Sequence, residues 1–158
     1  MQPHYLGFLY PFVIIGFVIF IIYQKAKANK ERTQFALSLL QGNVIDIIKG
    51  IKAEVFASGQ RGSKDFYFRK CDIYVLPDAI FLVTYTLFGN GKPLLLTANR
   101  DKYARFIAGG IFPDIKNINP DSFSHSVYIE YGESSFSSVG VDIHLYGLTD
   151  AQREYFRF

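Results

Sequence analysis

Three histidines, one cysteine and scattered serines and carboxylates are the residues of this chain whose types suit catalysis. Their spacing argues against it. His4 precedes a long apolar run, while His125 and His144 lie far behind it. No HxH, HxxxH or HExxH pattern brings two imidazoles onto one metal ion. Asp142 and His144 are two positions apart on a strand-like stretch, so they share a face as a charge-paired surface duo. Cys71 is the only cysteine, which excludes a disulfide within one chain and fits a reducing compartment. Its apolar setting marks it as a small core residue, since a catalytic thiol needs a His or cation placed to hold the thiolate. Ser134, Ser135, Ser137 and Ser138 surround Phe136 without a nucleophile-elbow pattern. Gly89-Asn90-Gly91-Lys92 lacks the spacing of a phosphate-binding loop and reads as a hairpin turn. Phe66, Tyr67, Phe68 and Tyr74 have the types of a base-stacking platform, but core packing accounts for them. The expectation is a protein that is not an enzyme, with no metal and no cofactor.

The element that must position the rest is an apolar run. Residues 6–23 read LGFLYPFVIIGFVIFIIY, without a charge. As a helix they span about 27 Å, close to the hydrocarbon thickness of a bilayer. Pro11 falls in the second turn, where a kink is tolerated, and Gly7 and Gly16 lack GxxxG spacing. Tyr5 and Tyr23 suit the two interfaces, with Tyr10 slightly inside. Lys25, Lys27, Lys30 and Arg32 follow the run, whereas only His4 and the α-amino group precede it. A secretory signal has the opposite polarity, although Ala26-Lys27-Ala28 imitates its cleavage site. The positive-inside rule then predicts a single-pass anchor in the cell's plasma (inner) membrane, with a short outer N-terminus (residues 1–5) and a cytoplasmic domain.

Charge is distributed to match. Residues 24–64 hold eight Lys/Arg against three Asp/Glu, and residues 65–158 hold nine against eleven. The basic excess sits beside the apolar run, as expected near anionic lipid, and the remainder is too acidic for a nucleic-acid binder. Residues 24–49 read as a basic helical linker, continuing the membrane helix into water. Val44, Ile47, Ile48 and Ile51 fall at i, i+3, i+4 and i+7. That stripe predicts a helix packed on the domain, or one lying on the membrane with Lys49 and Lys52 at the headgroups.

From residue 50 the period becomes that of strands. Ile51, Ala53, Val55 and Ala57 alternate, a basic loop covers 58–64, and strand candidates follow at 66–76, 79–88, 93–98, 111–112, 115–118, 126–131 and 139–146. The stretch 99–110 reads as irregular. Thr149 and Gln152 form a capping-box pattern ahead of a helix over 150–157. The class is mainly-β: a small antiparallel barrel or sandwich over 50–158, behind a transmembrane helix.

Two stretches, KCDIYVLPDAIFLVTYTLFGNGKPLLLT (70–97) and VDIHLYGLTDAQREYF (141–156), resemble the pleckstrin-homology-like superfold. In particular they resemble the PH-like or GRAM-like domain of bacterial single-pass membrane proteins. The first matches a strand–turn–strand with Lys-Pro leading the third strand, the second a last strand running into a capping helix. The resemblance implies a seven-stranded bent antiparallel barrel closed at one end by that helix. It implies binding to phospholipid headgroups or protein partners. Its lipid-binding members use basic residues in and beside the first strand–strand loop, which places Arg61, Lys64, Arg69 and Lys70 there. The usual basic spacing of phosphoinositide binders is absent, and Asp65 and Asp72 lie close by.

The leading expectation is thus a membrane-tethered, non-enzymatic interaction domain. It would be an accessory or scaffolding subunit that meets a membrane-associated protein or complex, and it would touch membrane lipid through the anchor. The alternatives are a phospholipid-headgroup sensor using Arg61, Lys64, Arg69 and Lys70, an enzyme built on Cys71 and a His, and an immunity protein against a membrane-active toxin.

Overall fold

The computed structural model describes residues 6–58, 67–109, 113–133 and 139–157. A single helix, α1 (Leu6–Leu40), opens the chain and carries Pro11 in its second turn. At about 1.5 Å per residue its 35 residues extend about 52 Å. Residues 10–21 are exposed on all sides, and this part of α1 is long and apolar enough to cross a membrane.

The second half of α1 docks on the β domain. Asn29, Thr33, Ala36 and Leu40 are buried, with Ile22 and Ala26 partly so. Their spacing alternates between three and four residues, which keeps one narrow stripe on the sheet. Between Ile22 and Leu40 the stripe is built from small and polar side chains, so the backbone approaches closely. Asn29 Nδ2 donates to the Asn90 carbonyl at 3.2 Å, and Thr33 Oγ1 donates back to the Asn29 carbonyl at 2.8 Å. Lys25, Lys27, Lys30 and Arg32 are exposed.

Eight strands follow in an open antiparallel sheet of order β4-β3-β2-β1-β8-β7-β6, with β5 also on β3. They are β1 (Asp46–Ser58), β2 (Lys70–Leu76), β3 (Ala79–Thr86), β4 (Gly89–Asn90), β5 (Leu94–Thr97), β6 (Asp114–Ser122), β7 (Ser126–Glu133) and β8 (Val139–Tyr146). Among the described residues no ladder joins β6 to β4 or β5, so the expected barrel closure is not made by hydrogen bonds. β4 and β5 lie along the same edge of β3: Tyr85 faces Asn90, the Gly91 N–H reaches the Thr84 carbonyl at 2.8 Å, and Leu82 faces Leu94. They are one strand interrupted at Lys92-Pro93, because Pro93 has no N–H for the ladder.

β1 turns the sheet. Its first half pairs with β2 and its second with β8. The hand-over is at Lys52, which pairs with both, and a bulge between Ile48 and Ile51 kinks the strand within its β2 pairing, with Gly50 at φ +71. The Gly50 N–H donates to Asp72 Oδ1 at 2.8 Å, and Tyr85 Oη donates to the other Asp72 oxygen at 2.8 Å. This bulge corrects the helical reading of Val44–Ile47–Ile48–Ile51. One extra residue sends both Ile48 and Ile51 inward, three apart, and so imitates a helical period inside a strand. Helix therefore stops at Leu40 rather than reaching residue 49, and Lys49 and Lys52 ride on a strand rather than a membrane-surface helix.

Two cores result. The inner core lies in the bend of the sheet and includes Ile51, Ile73, Leu82, Leu96, Ile129 and Ile143. Leu148 and Phe156 close it from the C-terminal side. There Thr149 and Gln152 cap each other as expected, and α2 (Asp150–Arg153) continues as one 3-10 turn (Glu154–Phe156). The outer core joins Ala36 and Leu40 of α1 to Leu76, Ala79, Phe81, Val83 and Leu95. Tyr103 and Phe106 come to it from the 3-10 segment Asp101–Gly109. Burial from both sides explains why β3 and β5 read as unbroken apolar runs.

Candidate functional site

The described residues contain a groove of about 830 Å³ at the junction of helix and sheet. Its first wall is α1, through Ile21, Ile22, Lys25, Ala26 and Asn29. Its second is β1 from Ala53 to Phe56, just past the last β2 pair at Lys52, together with Tyr67, Phe68 and Arg69, whose carbonyl accepts the Ala53 N–H at 2.9 Å. The third is the β3–β4 hairpin, through Thr86, Leu87, Phe88, Asn90 and Gly91. The walls are mostly apolar, and the charged groups are Lys25, Arg69 and Glu54. Glu54 is already engaged: Lys52 Nζ lies 3.2 Å from one oxygen and Tyr146 Oη donates to the other at 3.1 Å. Those two hydrogen bonds hold its carboxyl below the usual range. The groove therefore combines mostly apolar walls with the cationic side chains of Lys25 and Arg69, a lining whose chemistry suits an amphiphile with an anionic head.

The hairpin that forms the third wall departs from expectation. Residues 79–88 read as one strand closed by Gly89-Asn90-Gly91, but the strand ends at Thr86 and the turn is Leu87-Phe88. Thr86 Oγ1 accepts the Phe88 N–H at 3.2 Å and donates to the Gly89 carbonyl at 3.0 Å. The hydroxyl thus replaces the turn-forming residues that Leu and Phe are not. Gly89 takes φ +117 to complete the reversal.

Of the four basic residues expected to hold a headgroup, Arg69 lines the groove and Lys70 starts β2 opposite Lys52 and Tyr85. Arg61 and Lys64 lie outside the described residues. Of the expected interface anchors, Tyr23, Lys25, Lys27, Lys30 and Arg32 are exposed on α1, and Tyr5 lies outside the described residues. Lys25 joins Arg69 in the groove, a pairing that sequence distance conceals.

A second surface lies on the outer face of β1, β8 and β7. His144 sits among Phe56, Tyr128 and Tyr146, with ring centroids 6.2, 5.1 and 6.3 Å away. Asp142 does not pair with His144. It accepts from Tyr128 Oη at 3.0 Å, while His144 Nδ1 lies 3.5 Å from Ser126 Oγ. Burial, with the Asp142 hydrogen bond, pushes the Tyr128 phenol up to about 12. Phe56 is 60% exposed at the edge of this cluster.

Cys71 is fully buried in the inner core, and burial plus the charge of Asp72 pushes its thiol up to about 12. That is the core residue expected, and the opposite of an activated nucleophile. No group of three His, Cys, Asp or Glu among the described residues is placed to hold a metal ion.

No family model, curated protein or solved structure matches this chain.

Proposed function

We propose that this chain is a single-pass membrane protein whose PH-like domain serves, without catalysis, as an interaction module for a membrane-associated protein. The apolar half of α1 spans the plasma membrane with the N-terminus outside, and the β domain lies on the cytoplasmic side where the basic flank is. The observation that carries this reading is the continuity of α1. One unbroken helix supplies the apolar run and then the stripe from Asn29 to Leu40 that packs on the sheet. A docked helix holds the domain at a set height and tilt, which favours a partner in the same membrane over one in bulk solution. The PH-like assignment draws support from the strand order, from β4 and β5 counting as one strand, and from the helical turn over the inner core.

The partner surface is the outer face of β1, β8 and β7, where aromatic side chains surround His144 and Phe56 is exposed. A photoreactive residue in place of Phe56, in the full chain in its own membrane, tests this. The expected result is one dominant protein adduct that a Gln41 probe does not give. No adduct, or the same adducts from both positions, contradicts it.

The groove favours a second reading, a phospholipid headgroup held by Arg69 with Lys25. Native mass spectrometry of the detergent-purified chain would then show retained anionic phospholipid that Lys25→Ala/Arg69→Ala loses. Equal retention by both proteins rules it out.

A further inference from the structure

The β3–β4 hairpin presents two large apolar side chains where turns usually carry polar ones. Leu87 is 74% exposed and Phe88 66% exposed. Their position relative to α1 gives them a use. The base of β3 shares the outer core with Leu40, and the far end of the hairpin meets α1 near Ala26, where a Cβ built on Gly89 would lie 3.5 Å from the Ala26 Cβ. β3 therefore runs back along α1 toward the apolar run. Asn90 fixes the approach through its hydrogen bond from Asn29, and the groove brings Leu87 and Phe88 alongside Ile21, Ile22 and Lys25.

Ala26 lies three residues past Tyr23, about 4.5 Å along a helix axis. The interfacial layer on each side of a bilayer is about 5–7 Å thick. A tip that reaches from Ala26 to Ile21 thus lies within that layer or deeper.

We infer that the Leu87-Phe88 turn is a second membrane contact, inserting into the leaflet next to α1 so that the domain stands on two feet. This rests on the reading that α1 spans the membrane. The occupant of this apolar surface is the bilayer, because the exposed apolar tip lines the same groove as Ile21 and Ile22 of the apolar run, and Lys25 in that groove suits anionic headgroups. A tip built for water would gain from Asn-Gly at these positions. Two feet also constrain rotation about the helix axis, which one helix alone leaves free.

The test places an environment-sensitive fluorophore on the full chain in vesicles of phosphatidylcholine and phosphatidylglycerol, at Phe88→Cys, Ile15→Cys or Gln41→Cys in separate preparations. Ile15 lies within the apolar run, and Gln41 lies 18 residues past Tyr23. Lipids brominated along their acyl chains quench probes that enter the leaflet. The expected result is blue-shifted, quenched emission from Phe88→Cys and Ile15→Cys and unquenched emission from Gln41→Cys. Quenching at Ile15 but not Phe88 overturns the second foot and leaves the span intact. Absence of quenching at both overturns the span, and the second foot with it. A Leu87→Asn/Phe88→Gly variant supplies a second readout. Fluorophore at Asn90→Cys is expected to lose its blue shift in that background while circular dichroism stays unchanged, and an unchanged emission there also overturns the proposal.

Discussion

Gly50 decides the course of β1. At φ +71, with open space around a built Cβ, it pays no steric penalty that a neighbour imposes, and only the backbone objects to a side chain. Gly50→Ala is expected to lower stability by about 1–2 kcal/mol, the cost of holding an L-residue in the left-handed region. Urea unfolding in detergent should show a lower midpoint at unchanged slope. Cys71 gives a second prediction at this scale: the folded chain resists a thiol reagent at pH 8, and urea exposes the thiol to full labelling. The tyrosines give a third. Burial and the Asp72 carboxylate push the Tyr85 phenol up to about 12, and Tyr128 and the Cys71 thiol are raised likewise. In each case the folded state holds its proton more tightly than the unfolded state. Stability is therefore complete below the unfolded values and is lost as pH rises from about 9 toward 12. Urea midpoints at pH 8, 10 and 11 should fall in that order, and Tyr85→Phe should flatten the decline. Asp78 behaves in the opposite sense. Burial raises its carboxyl, but hydrogen bonds from Tyr103 and Lys102 outweigh that and hold it low, so its contribution fades in acid.

Among the elements, α1 was half legible. Its apolar run and basic flank follow from length and charge, and so does its continuation past residue 24. Its docking stripe was invisible, because Ala26, Asn29, Thr33 and Ala36 are small or polar and give no hydrophobic period. The period that did catch the eye, Val44 to Ile51, came from the bulge at Gly50. The C-terminal cap was legible because Thr149 and Gln152 act locally. β6 (Asp114–Ser122) was longer than the sequence suggested, because an edge strand tolerates Pro120 and exposes polar residues on both faces. The hairpin was legible from Gly89-Asn90-Gly91 but placed two residues late, because Thr86 lets Leu87-Phe88 make the turn, whereas the groove depends on contacts between distant segments. Leu40 tests the docking. It is buried in the outer core, so Leu40→Ala should cost about 2–4 kcal/mol in urea unfolding. A cost below about 0.5 kcal/mol would mean that α1 does not pack on the sheet.

At the scale of the molecule, α1 and the β domain are packed together as one body. The outer core and the Asn29–Asn90 hydrogen bond join them along one side of the sheet, while the inner core and its terminal helical turn hold the sheet itself in its bend. Arg153 and Arg157 both pair with Asp121, which ties that turn to β6. Everything proposed about partners depends on this rigidity, since a domain on a loose tether would present its aromatic face in every direction. The most direct measurement is a spin-label distance distribution on the full chain in vesicles, with labels at Lys30→Cys on α1 and Asn117→Cys on β6 and Cys71 left buried. One narrow distance is the predicted result. A broad distribution, spanning the range a flexible linker would allow, would contradict the account.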